Sequence, residues 1–110
     1  GVSQRHNGIW DPSRGYAVTS SDGYRTIYPR SLFVRIDGLQ IQNTGGGTGV
    51  NFPYSTDVSS VEVSNSILKG PVTDGEAIFF RRDHTNSVGK FWNNIIYDWY
   101  RGIRIYGGSA

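Results

Sequence analysis

Apolar and polar residues alternate along most of this chain, and no stretch keeps apolar positions at i, i+3, i+4 and i+7 over three turns. A period of two predicts β-strands throughout and no helix. The stretch "SSDGYRTIYPR" at 20–30 reads as a turn at Asp22-Gly23 followed by a short strand. Comparable glycine-led stretches return as "GTGVNFPY", "TDGEAIFF" and "YRGIRIYG". Their leading residues, Gly23, Gly49, Gly75 and Gly102, stand 26, 26 and 27 positions apart. A fixed period of that size predicts a solenoid.

Aligning the units on those glycines produces columns. Tyr24, Val50, Glu76 and Ile103 form one, Thr26, Phe52, Ile78 and Ile105 a second, and Tyr28, Tyr54, Phe80 and Gly107 a third. Side chains of one parity share a face of a strand, so this mostly apolar set is expected inside. A second strand per unit is expected in "VRIDGLQI" (34–41), "VEVSNSIL" (61–68) and "FWNNIIY" (91–97). There Ile36, Val63 and Trp92 make one inward column, and Ile41, Leu68 and Tyr97 another. Gly38, Asn65 and Asn94 fall between them, at a sharp corner whose left-handed backbone suits Gly and Asn.

Coils of this length, with a Gly/Asn corner and a closing "G-I-x-I" strand, resemble the right-handed parallel β-helix of the pectin-lyase-like superfamily. "VEVSNSILKG…GEAIFF" and "FWNNIIYDWYRGIRIYG" carry the resemblance, which spans about residues 20–107. It implies an all-β, right-handed parallel β-helix solenoid of about four coils with a period of about 26 residues, over residues 20–110. Residues 1–19 are then an N-terminal leader or a degenerate first coil. The superfamily includes polysaccharide lyases, hydrolases, tailspikes and non-catalytic surface proteins, so the resemblance bears on fold more than on function.

Composition narrows the function classes. A net charge of +2, with the eleven basic residues scattered, argues against a nucleic-acid partner. No apolar run approaches the ~20 residues of a membrane-spanning helix. The absence of cysteine removes disulfides and thiolate metal sites. Fifteen glycines with abundant Ser, Thr and Asn point to an extracellular or cell-surface β protein.

Three kinds of candidate chemistry remain. The resemblance implies, for an enzyme, a polysaccharide lyase using Arg or Lys as base, or a hydrolase using aspartates. Asp57 and Asp83 occupy equivalent positions three residues after Tyr54 and Phe80, and with Arg82 and His84 they are the catalytic candidates. Two carboxylates on neighbouring coils also suit calcium, the one cofactor the lyase alternative would bring. Outward positions gather Phe79, Phe91, Trp99, Arg101, Arg104 and Tyr106, aromatic and guanidinium groups suited to stacking on sugar rings or to protein contact. The third class is assembly. A last strand "GIRIY" borders an open core with Ile103 and Ile105, so the end is expected to be covered by another copy or by the rest of a longer parent chain. The favoured expectation is a non-catalytic, self-assembling module, packing head-to-tail or laterally, with polysaccharide contact. A fragment of a β-helix lyase or glycoside hydrolase is the alternative.

Overall fold

Every strand pairing in the structure, a computed structural model that describes residues 6–13, 16–30, 33–52, 60–81 and 87–106, is parallel. The strands are β1 (Ala17–Ser20), β2 (Arg25–Ile27), β3 (Phe33–Asp37), β4 (Gln40–Asn43), β5 (Thr48–Phe52), β6 (Ser60–Ser64), β7 (Ile67–Lys69), β8 (Glu76–Arg81), β9 (Val88–Trp92), β10 (Ile95–Tyr97) and β11 (Arg101–Tyr106). They form sheet A (β1-β4-β7-β10), sheet B (β2-β5-β8-β11) and sheet C (β3-β6-β9). The chain visits A, B and C in that order and repeats, so strands far apart in sequence lie side by side. This all-β path, with no helix among the described residues, is that expected of a parallel β-solenoid.

The true registers differ from those read on the glycines. In sheet B, Ile27 pairs with Val50, Val50 with Ile78 and Ile78 with Ile103; Phe52, Phe80 and Ile105 form the next column. The spacings are therefore 23, 28 and 25 rather than 26, 26 and 27. The glycines explain the difference. Gly75 lies in the turn before β8 at φ +86, a conformation that an L side chain resists, whereas Gly49 lies inside β5. The partner of Gly49 across the ladder is Ala77, whose carbonyl would stand 2.6 Å from an added Cβ. A slip of two residues keeps faces intact, so Val50, Phe52, Ile78 and Phe80 are all buried as expected. In the first unit the slip is odd. Ile27, expected outside, packs against the core, and Thr26, expected inside, accepts a hydrogen bond from Asn43 Nδ2 at 3.2 Å.

Sheet C corrects a second register. Ile36 and Val63 continue to Phe91, while Trp92 follows Asp37 and Ser64 and is exposed. Phe91 stacks on Phe52 at 6.3 Å between centroids and meets Phe80 edge-on at 5.9 Å, so it belongs to the interior rather than to an outer contact surface. Sheet A is displaced the same way, with Ile41 and Leu68 followed by Ile96 rather than Tyr97. The left-handed corner is likewise Gly38, Asn65 and Asn93, not Asn94. There Asn93 Nδ2 donates to Asn65 Oδ1 at 2.6 Å, and Asn65 Nδ2 to Asp37 Oδ1 at 2.7 Å. A polar ladder thus runs along the corner and satisfies amides that would otherwise be stranded.

The N-terminal segment has its own place. His6 Nδ1 accepts from the Gly8 N–H, which leaves the Nε2 hydrogen to bond the Asn65 carbonyl. Trp10 lies beneath the Lys69 ammonium at 5.8 Å, and Asp11 and Gln40 exchange two hydrogen bonds of 2.6 and 2.8 Å. The segment climbs the outside of sheet A from the β10 level toward β1. It accounts for the burial of Gln40 and Ile67, which by alternation face away from Ile41 and Leu68 and the core.

Candidate functional site

Two surfaces are built from the expected site residues. The first is the outer face of sheet B. The register places Arg104 beside Phe79 and Tyr106 beside Arg81, so these four side chains meet on adjacent strands. Phe79 and Tyr106 stack at 6.4 Å with their planes 23° apart. The Arg104 guanidinium sits 5.3 Å from the Phe79 centroid and 5.6 Å from that of Tyr106, with Arg81 5.4 Å from the latter. Glu76 Oε1 accepts from Arg104 at 3.1 Å and from Arg101 at 3.5 Å, one carboxylate oxygen shared by two cations. Arg101 also borders Tyr100, and on β2 Arg25 lies 3.9 Å from the Tyr28 centroid and 5.1 Å from that of Tyr24. Such guanidinium–ring pairs order planar groups on this face, and guanidinium N–H groups are donors suited to oxyanions and hydroxyls.

The second surface is the end of the stack formed by β9, β10 and β11, each of which has a strand neighbour on one side only among the described strands. Ile103 is 44% exposed and Ile105 63%, although their column partners Ile78 and Phe80 are buried. A cavity of about 300 Å³ opens here between Phe80, Ser87, Val88, Gly89, Phe91 and Ile105. On β10, burial and secondarily the Asp98 charge push the Tyr97 phenol above its usual value of 10.0. Its neutral form is thus the one that folding favours.

Trp99 belongs to neither surface as an exposed ring. Its Nε1–H donates to the Leu68 carbonyl at 2.9 Å, and its indole runs past Gly70 and Gly49. A Cβ at Gly70 would stand 2.6 Å from Trp99 Cδ2, and one at Gly49 3.2 Å from Cη2. The tryptophan fills space that Gly49 on β5 and Gly70 just after β7 leave open, and it packs against the core. Asp57, Arg82, Asp83 and His84 lie outside the described residues. Among the described residues no three His, Cys, Asp or Glu side chains converge on a point where a metal would sit.

Comparison with known proteins finds no matching family, no similar curated protein and no similar solved structure. Tyr24, Tyr28 and Arg81 were absent from the surface read on the sequence. The spacing Tyr-Arg-x-x-Tyr at 24–28 was the available signal for the first cluster. The contact of Arg81 with Tyr106 follows only from the register of β8 and β11.

Proposed function

We propose that this chain is a non-catalytic structural module of an extracellular or cell-surface protein, a right-handed parallel β-helix that associates end-on with another β-coil. The other coil is supplied by a second copy or by the rest of a longer parent. The observation that carries this reading is the exposure of Ile103 and Ile105 beside the edge of β11 that has no strand neighbour among the described residues. Each apolar side chain covered there contributes about 1.5–3 kcal/mol, so a few suffice against the entropy lost on association. Backbone groups on the strand edges give the contact direction. Light scattering across dilution, in about 1 M salt where the Debye length falls to about 3 Å, tests it. Growing linear species, visible by electron microscopy, are the expected result. A monomer at every concentration would end the reading in which a second copy supplies the other coil.

The stacked Phe79, Arg104 and Tyr106 support a second role for the module, contact with polysaccharide. Aromatic faces match the apolar faces of sugar rings, and guanidinium edges match hydroxyls and carboxylates. On an array of acidic and neutral polysaccharides, binding is expected to weaken about tenfold or more in Arg104→Ala, the loss of one charge-assisted bond. Equal binding by the variant would remove this surface from the reading. Release of unsaturated sugar ends during the assay would favour the alternative, a fragment of a lyase.

A further inference from the structure

We infer that head-to-tail stacking of two copies is held off by like charges at the joint and is switched on by an oxyanion ligand that bridges them. The inference rests on the end-on reading and names what regulates it.

The apolar columns dictate the register of such a joint. In sheet B one column runs from Ile27 through Val50 and Ile78 to Ile103, and in sheet A another runs from Val18 through Ile41 and Leu68 to Ile96. A second copy that continues both columns sets its own Ile27 beside Ile103 and its own Val18 beside Ile96, because sheets A and B have four strands each. The neighbouring positions are then fixed. The second copy's Arg25 faces Arg101. A slip of one residue turns the apolar side chains outward, and a slip of two carries the second copy's Arg25 to Ile103 at the mouth of the core.

Within one copy the same column avoids this conflict. Arg25 is followed by Thr48, whose hydroxyl reaches Glu76, and Glu76 by Arg101. Signs alternate or are spaced by a neutral residue along the stack, and like charges meet only where one copy ends and the next begins. Like charges directly opposite on neighbouring strands oppose pairing. Glu76 does not relieve them, because its Oε1 is already shared between Arg101 and Arg104.

Two guanidiniums on strands ~4.8 Å apart form a fork that suits one carboxylate or sulfate group. Tyr24 and Tyr28 beside Arg25, and Tyr100 beside Arg101, flank that fork with rings. Free oxyanions and oxyanion-bearing polymers share this chemistry. Either would turn a repulsive joint into a bridged one.

Sedimentation velocity on the whole chain at low ionic strength tests the inference, with sodium sulfate, dextran sulfate, and sodium chloride at matched ionic strength as separate additions. Monomer is expected without additions or with matched chloride. Sulfate or dextran sulfate is expected to lower the concentration at half-assembly by about tenfold or more. Response to both assigns the site to a free oxyanion, and response to dextran sulfate alone to a polymer. The variant Arg101→Gln is expected to stack without any anion and to lose the response, with its far-ultraviolet circular dichroism unchanged. Stacking of the unmodified chain at low ionic strength without anion would overturn the inference and leave the end-on reading standing. So would stacking in about 1 M chloride with no response to either sulfate probe. A chain that never stacks would remove both the inference and the second copy as the covering coil.

Discussion

Phe52→Ala is expected to lower the unfolding free energy by about 3–5 kcal/mol, read as a shift in the urea midpoint with an unchanged slope. Phe52 has no exposed surface and sits between two other rings, edge-on to Phe80 at 6.3 Å and stacked on Phe91 at 6.3 Å. Truncation removes the transfer energy of the ring and leaves a void lined by residues on two further strands. Those strands are held by parallel ladders on β8 and β9, so they cannot close the gap without breaking register. The loss should therefore fall toward the upper part of the range. A change below about 1.5 kcal/mol would mean that the interior collapses freely, contrary to the packing described.

Gly70→Ala carries the second large effect. The new Cβ would stand 2.3 Å from the Asp98 carbonyl oxygen and 2.6 Å from Trp99 Cδ2, one a backbone atom and the other part of a ring already anchored to Leu68. Both distances are far inside van der Waals contact, so the turn at Asp98, itself at φ +64, has to move. A loss of about 1–3 kcal/mol is expected, with a red shift in tryptophan emission as the indole leaves its slot. Gly102→Ala provides the comparison. Its nearest neighbour would be Ile96 Cγ2 at 3.6 Å, ordinary contact, so the variant should keep its stability and emission. Equal effects at the two sites would show that the glycine slot does not hold Trp99.

The sequence made the sheet B interior legible because the error in reading it was an even number of residues. Val50, Phe52, Ile78 and Phe80 stay on one face under a slip of two, and so do the outward Phe79, Arg104 and Tyr106. The segment "FWNNII" defeated the same method. Its residues come in like pairs, so two frames one residue apart fit the pattern equally, and the frame anchored on Trp92 exchanged Phe91, Asn93 and Ile96 for their neighbours. Local periodicity contains nothing that distinguishes the two frames; the ladder to β6 does. Trp99 was illegible for a different reason. Its position depends on the absence of side chains at Gly49 and Gly70, which lie on other turns of the chain. The docking of residues 6–13 was hidden likewise, since Gln40 reads as an ordinary outward polar residue until Asp11 is seen to clasp it.

That clasp sets an order of events in folding. Residues 6–13 leave the ribosome before everything they bind: Gln40, then the Asn65 carbonyl 59 positions beyond His6, then Ile95, which stands 3.9 Å from where a Gly8 side chain would begin. Contacts between such distant positions form slowly, because a long loop must close before any of them is gained. The segment therefore docks late, after β4, β7 and β10 have been laid side by side. Until then Ile67 and its neighbours on the outer face of sheet A remain open to water and to other chains. The early-made segment acts as a latch closed from behind, and the interval before it closes is when the nascent chain is most exposed to mispairing.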